Sequence, residues 1–470
     1  MKPLSLASRI GTGYKDGGQQ TKWTFGRKEG HETWVAALVI AMKPRILLVN
    51  PPIFDFSAYD FWLKPYGLLR IGGFLRGQAD FALFDYLDRA HPSTRQASDE
   101  WGRGRFPSAD VPKPSVFADV PRRFHRFGLP RECFREFLTD CPHFDVALVQ
   151  TVMTYWYPGV AEVIEDLRAR SPSTKIVLGG VYATLCPEHA RSLGADLVVE
   201  GSRFDEFQRL LGLRLNPDSL PVWDLYPKLE VGILKLAYGC PFRCTYCSVP
   251  RVEPVFAGYP QKRSLAECDW LCRIGVRNIA FYDDALLYRP QQVLAPFLEE
   301  VIRRKLPVHF HTPNALNARF IDRELSTLMV TAGFRNFYIG FESAAYDWQH
   351  RTGGKVYSHE LIRAVRNLRA AGASPSGITA YLIIGHPHSD HQEIEASMRL
   401  ANAQGIRVML SEFSPIPGTP DGESCREFID LDEPLCHNKT AFTSSFLGPQ
   451  KVNALKSLCR ELNAGRAALR

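Results

Sequence analysis

Residues 233–247 read ILKLAYGCPFRCTYC, an apolar run, a glycine and three cysteines, Cys240, Cys244 and Cys247, with three and then two residues between them. The run Ile233–Ala237 predicts a buried strand, so the cysteines stand on the loop that leaves its end. Thiolates are soft ligands that suit iron–sulfur clusters or zinc. One loop with this spacing can wrap three corners of a cubane and leaves the fourth iron open to a small molecule. A structural zinc site needs four ligands, and no Cys or His occurs between Ser248 and Glu267, which favours the cluster. Cys268 and Cys272 stand at i and i+4 on an expected helix without a third partner, as packed or surface thiols would.

Working outward, strands and helices alternate on both sides of this loop. Downstream, strands are expected at Ile233–Ala237, Asn278–Tyr282, Pro307–His311, Asn336–Phe341, Ile378–Ile384 and Arg407–Phe413. Helical stretches fall between them near Leu265–Ile274, Gln291–Arg304, Asp322–Ala332, Ser358–Ala371 and His391–Gln404. Six β/α units over 232–420 predict a partial (β/α)6 TIM-like barrel, with its site at the C-terminal strand ends. Upstream, strands at Ile46–Asn50, Phe81–Asp85, Val146–Gln150, Lys175–Gly179 and Leu197–Glu200 alternate with helices. They predict an α/β domain over 44–212, a Rossmann-like doubly wound parallel sheet. Residues 88–144, rich in Arg, Pro and Phe, read as an insertion with one helix near Pro130–Thr139. Residues 213–231, with Asn216-Pro217-Asp218 and Pro221, read as a linker, and 421–470 as a loop and closing helix. Residues 1–43 read as a disordered or non-native extension, with Met42 as an alternative start.

The formal charge of +7 is concentrated in two places. Residues 1–43 carry seven Lys/Arg against three Asp/Glu, and residues 89–144 carry ten against seven, which leaves 40 of each in the remainder. The expected domains therefore have no basic excess and no long Lys/Arg run, which argues against nucleic acid as a partner. Eleven cysteines, an odd number in a long chain, argue against a disulfide framework and for a reducing, cytoplasmic setting. The best membrane candidate, Trp34–Met42, has nine residues, and a span needs about 20.

The CxxxCxxC loop after the first barrel strand, with Tyr246 just before the last cysteine, resembles the radical S-adenosylmethionine (SAM) superfamily. Ahead of it, Asn50-Pro51-Pro52 and Gly179-Gly180-Val181-Tyr182-Ala183-Thr184 are similar to the cobalamin-binding domain of the cobalamin-dependent branch. The resemblance covers 44–420. It implies a [4Fe–4S] cluster on Cys240, Cys244 and Cys247, with the amine and carboxylate of SAM on the open iron. Tyr282-Asp283-Asp284 stands where the family more often has Gly-Gly-Glu, and Asp283 and Asp284 would meet the amine unless they only cap a helix. Glu342 and Ser343, in Gly340-Phe341-Glu342-Ser343, would contact ribose or methionine. Gly385, in Gly385-His386-Pro387, and Pro417, in the 415–420 loop, would flank the adenine. His386, His388 and His391 read as loop histidines.

On the first domain, the resemblance implies a cobalamin face of Asn50, Pro51, Gln150, Thr151, Gly179, Gly180, Val181, Tyr182, Glu200 and Gly201. The Asp-x-His-x-x-Gly signature is absent, since Asp88-x-x-His91 has another spacing, which implies cobalamin without a protein histidine on cobalt. The implied activity is formation of a 5′-deoxyadenosyl radical and cobalamin-dependent methylation of an unactivated carbon of a small-molecule or peptide substrate. A one-electron reductase such as flavodoxin or ferredoxin would feed it. Two alternatives stay open: radical cyclisation, rearrangement or oxidation without methyl transfer, and a non-enzymatic electron-transfer or sensing protein, which would need a fourth cluster ligand. A methylthiotransferase would need a second cysteine triad upstream, and Cys133, Cys141 and Cys186 are scattered.

Overall fold

The computed structural model describes residues 43–94, 96–141 and 143–465, with four strand fragments of two or three residues between positions 13 and 35. Apart from those fragments and Lys43, the expectations for 1–43 lie outside the described residues. The first domain is built on five parallel strands: β1 (Arg45–Asn50), β2 (Asp80–Asp85), β3 (Val146–Thr151), β4 (Lys175–Gly180) and β5 (Leu197–Val199). Their spatial order is β5-β4-β3-β1-β2. The order reverses between β1 and β3, and in such sheets ligands sit outside the strand C-termini near that reversal.

Strand β1 is buried from Ile46 to Asn50, because helices cover both faces of a parallel sheet. Ile46 and Leu48 face α1 (Tyr66–Phe74), while Leu47 and Val49 face a second core with α2 (Arg131–Asp140) and α3 (Tyr157–Arg170). Helices α4 (Val181–Leu185), α5 (Pro187–Ser192) and α6 (Asp205–Leu211) complete the domain.

Residues 88–144 hold more than the one expected helix. Ser108–Val111 and Phe124–Phe127 pair with Ile53–Asp55 in a three-stranded antiparallel sheet. The same excursion reaches the barrel, where Arg103 Nη1 donates to the Tyr338 hydroxyl at 2.9 Å and the Trp101 ring lies 5.5 Å from that of His311. The expected linker, 213–231, packs against the first domain. Trp223 is fully buried, and the Val222 N–H donates to the Leu69 carbonyl.

The second domain carries six parallel strands in chain order: β6 (Val231–Leu234), β7 (Asn278–Phe281), β8 (His309–His311), β9 (Phe334–Glu342), β10 (Ile378–Ile384) and β11 (Arg407–Glu412). Helices α7 (Gln261–Arg273), α8 (Leu294–Arg304), α9 (Arg323–Thr331), α10 (Ser358–Ala370) and α11 (His391–Ala403) connect them. Strand β6 ends three residues before the expected Ala237. The Leu236 and Ala237 N–H groups donate to Asp283 Oδ1 (2.9 and 2.6 Å), and Ala237–Tyr238 turns away to pair with Ala257–Gly258.

The tail is more than a loop and closing helix. It forms α12 (Lys439–Leu447) and α13 (Pro449–Ala464). Asn438 accepts from the Thr440 and Ala441 N–H groups, which caps α12, and donates to Asp55 of the first domain at 3.0 Å. His437 Nδ1 lies 2.9 Å from Thr154 Oγ1. The tail thus ties both domains together. No described helix is long and apolar enough to cross a membrane.

Candidate active site between the two domains

The cysteine loop leaves the barrel through Gly239. Its φ is +72°, and a Cβ there would stand 2.2 Å from the Val255 carbonyl oxygen; only glycine meets both conditions. The Cys247 N–H donates to the Cys244 carbonyl at 3.1 Å, which folds the loop back. All three cysteines line a recess of about 60 Å³ together with Asp284, Asn317 and Lys355. Burial raises each thiol above its usual range, Cys247 to about 11, while the Lys355 ammonium works against that shift. Iron binding deprotonates such thiols. No three His, Cys, Asp or Glu among the described residues are placed to share a single metal ion. Three thiols on one short loop line the same recess, and that donor set fits an iron–sulfur cluster.

The loop is clamped from outside. The Tyr246 ring stacks on that of Trp348 at 5.9 Å, and the Thr245 N–H donates to the Thr352 carbonyl. Behind them His386 is fully buried, with Nε2 2.8 Å from Asp421 Oδ2. Its Nδ1 accepts from Trp348 Nε1 and the His388 N–H, so Nε2 carries the proton that Asp421 accepts. His391 lies beside Asp390 at the surface. The three histidines are therefore not brought to one point.

The residues expected to meet SAM fall in two groups. Asp284 lines the recess and pairs with Lys235 at 3.3 Å. Asp283 is turned inward. One oxygen holds the end of β6, the other is buried without a partner among the described residues, and burial lifts its carboxyl to about 7 against the pull of Lys235. Glu342 pairs with Lys355 at 3.4 Å, and burial raises its carboxyl in spite of that ammonium. Its φ of +68° is rare for a residue with a Cβ, and it falls where the β9–β10 register shifts between Gly340 and Glu342. The Ser343 hydroxyl accepts from the Ala345 N–H, and its carbonyl accepts from Gln349. Gly385 has φ +78° and abuts Thr443. Pro417 lies beside Gly418, whose carbonyl accepts from Arg251. Sequence reasoning missed Lys355; a lysine after two glycines in an Arg-Thr-Gly-Gly-Lys turn carries no pattern that marks it.

A cavity of about 620 Å³ lies between the domains. On the first-domain side it is lined by Gln150, Gly179, Gly180, Val181 and Gly201 from the cobalamin expectation, and on the barrel side by Tyr238, Val252, Glu253, Tyr259 and Arg263. Its wall is largely apolar, with Ile71, Phe74, Val177, Val199, Phe204 and Phe207. A Cβ at Gly179 would meet nothing nearer than 4.0 Å, and one at Gly67 likewise, so these glycines leave room beside the backbone for a large occupant.

The remaining expected residues do not line this cavity. Asn50 donates to Asp85 and accepts from Gln150, and with Pro51 it lines a smaller recess next to β1. The Thr151 hydroxyl donates to the Gly179 carbonyl and accepts from the Ala183 N–H. Tyr182 is buried against His189, and Glu200 pairs with Arg191 and Arg203. No histidine lines the cavity among the described residues. The apolar wall and the glycine edges fit a cofactor as large as cobalamin.

Comparison with known proteins agrees with this geometry. Residues 234–401 match the Radical SAM superfamily. The threonylcarbamoyladenosine tRNA methylthiotransferase MtaB of Thermotoga maritima is 25% identical over 283 residues, 56% of this chain and 64% of MtaB. An uncharacterized methyltransferase of Pyrococcus horikoshii is 24% identical over 287 residues, 52% of this chain and 61% of that protein. The chain thus spans less than two thirds of the length of these relatives. Among solved structures, the radical SAM methyltransferase TsrM of Kitasatospora setae, with cobalamin and a [4Fe–4S] cluster bound, superposes with TM-score 0.63 at 16% identity, over 89% of this chain and 91% of TsrM. The cobalamin-dependent radical enzyme OxsB, with aqua-cobalamin and SAM bound, does so with TM-score 0.52 at 13% identity, over 97% of this chain and 71% of OxsB. Residues 234–401 therefore form a radical SAM domain, and the two domains of the chain share the fold of TsrM and OxsB.

Proposed function

We propose that the chain is a cobalamin-dependent methylase that acts on an unactivated carbon of a small-molecule or peptide substrate. The observation that carries this reading is the cavity of about 620 Å³, bounded by the first sheet's strand ends on one side and by the segment after the cysteine loop on the other. When bound, the cluster and cobalamin supply, respectively, the electron that cleaves SAM and the carrier that moves a methyl group.

The protein's own residues do the placing. Cys240, Cys244 and Cys247 hold the cluster at the barrel mouth. Lys355, held charged by Glu342 and the nearby thiols against the effect of burial, faces the same recess and suits the carboxylate of SAM. Asp284, on the opposite charge balance beside Lys235, suits its ammonium. Phe242, Tyr288 and Phe320 pack against one another at the recess and keep water from the reacting carbon.

A methylase of this kind consumes SAM twice. Methyl transfer leaves S-adenosylhomocysteine, and cleavage at the cluster leaves 5′-deoxyadenosine. With a deuterated substrate, the two products accumulate in a ratio near one, and deuterium appears in 5′-deoxyadenosine. Conversion that yields 5′-deoxyadenosine without S-adenosylhomocysteine would replace methylation by cyclisation, rearrangement or oxidation.

A further inference from the structure

Arg263 is a buried charged residue of the cavity wall. Its side chain is 5% exposed, and none of its three guanidinium nitrogens has a hydrogen-bond partner among the described residues. The nearest carboxylate, Glu267, lies 3.7 Å from Nη2, too far for a hydrogen bond. Glu267 spends its oxygens elsewhere, accepting from the Tyr66 hydroxyl at 3.2 Å and Trp223 Nε1 at 3.1 Å. Arg70 reaches the same place from α1. Its Nη1 donates to the Tyr259 hydroxyl, and its Nε has no partner among the described residues. Both guanidinium carbons lie 4.6 Å from the centroid of the Tyr259 ring. Asp218 and Glu253 also line the cavity, but among the described residues neither pairs with either arginine. Two like charges held over one ring, with four donor nitrogens unspent, are costly unless an anion joins them.

We propose that Arg263, with Arg70 across Tyr259, receives the phosphodiester of the cobalamin nucleotide loop. This rests on the reading that cobalamin occupies the cavity. The phosphodiester is the anionic group of that molecule, and it joins the corrin ring to the aromatic base. Its receptor must therefore lie between a surface for the ring and a surface for the base. Arg70 precedes the apolar wall residues Ile71 and Phe74 on α1, and Arg263 follows Tyr259 on the barrel side. Guanidinium groups suit this role, because their fork of N–H donors matches phosphate oxygens.

The test titrates cobalamin, and separately cobinamide, which lacks the nucleotide loop, into the reconstituted full chain and follows absorbance. Arg263→Met should weaken cobalamin binding about ten- to a hundredfold and change cobinamide binding less than about twofold. Arg263→Lys keeps a point charge and should lie between. Unfolding midpoints of all three proteins identify a variant that has simply failed to fold, in which case Arg263→Lys against wild type decides the matter. Equal effects of the substitution on both ligands, or no effect on cobalamin, would overturn the phosphodiester assignment and leave the cavity reading intact. Failure of the wild type to bind either corrinoid would overturn both.

Discussion

Glu342 stores strain at the mouth of the barrel. A residue with a Cβ at φ +68° costs roughly 1–2 kcal/mol, and such strain persists where the surroundings hold it. Here Lys355 fixes the carboxylate while its ammonium faces the cysteine recess. Replacing Lys355 with Met should weaken SAM binding to the reconstituted enzyme about tenfold or more, and Lys355→Arg should retain most of it. Equilibrium dialysis reads both, and undiminished binding to Lys355→Met would remove Lys355 from the site. Glu267 makes a second prediction. Burial raises its carboxyl from an ordinary 4.5 to about 7, against the opposing pull of Arg263 and the Trp223 and Tyr66 hydrogen bonds. The folded state holds that proton more tightly than the unfolded chain, so the associated stability is present below pH 4.5 and is lost as pH rises through 7. Urea midpoints should fall between pH 5 and pH 7.5 by more in wild type than in Glu267→Gln, a difference of about 1–3 kcal/mol. Parallel curves would place the proton elsewhere. At this scale the grouping of the three cysteines is legible in the sequence, because they crowd into one loop, and the structure places them on one recess. Lys355, Arg263 and Glu267 were not legible. Each is a lone charged residue whose role depends on partners from distant segments, Tyr66 and Trp223 in the case of Glu267.

In the proposed reading the cysteine loop is the element that carries the chemistry, and its neighbours separate function from packing. Replacing Cys240, Cys244 and Cys247 together with Ala should abolish iron and sulfide after anaerobic reconstitution. Replacing Cys268 and Cys272 should leave both unchanged, since Cys268 is fully buried in the barrel core and the pair sits on α7, outside the recess. The opposite result would move the cluster. Most elements were legible, because hydrophobic alternation repeats in every β/α unit and Ile378–Ile384 has the bounds its apolar run suggests. The end of β6 was not, because a carboxylate 46 residues away, Asp283, takes over the Ala237 N–H. The antiparallel sheet of Ile53–Asp55, Ser108–Val111 and Phe124–Phe127 was hidden for a related reason. Its strands have three or four residues and pair across long loops, so no local period announces them.

Across the whole molecule, the two domains share one core. Ile46 and Leu48 of β1, Trp223 of the connecting segment and Leu271 of α7 belong to a single apolar cluster, and Asn438 of the tail is bonded to Asp55. The cavity therefore lies between surfaces held in fixed relation, as a cofactor that must face both the cluster and the substrate requires. The alternation of two β/α series made the two-domain plan legible. The short 213–231 segment suggests domains held close, while its packing through Trp223 and Val222 on α1 depends on contacts that no local pattern marks. The most direct test of the account is cobalamin binding by the anaerobically reconstituted full chain, followed by absorbance and then by magnetic resonance of the cob(II)alamin form. The account predicts one cobalamin bound beside a [4Fe–4S] cluster, with no strong nitrogen splitting on cobalt, since no histidine lines the cavity among the described residues. A chain that takes up the cluster but no cobalamin, or one whose cobalt shows an axial nitrogen from the protein, would contradict it.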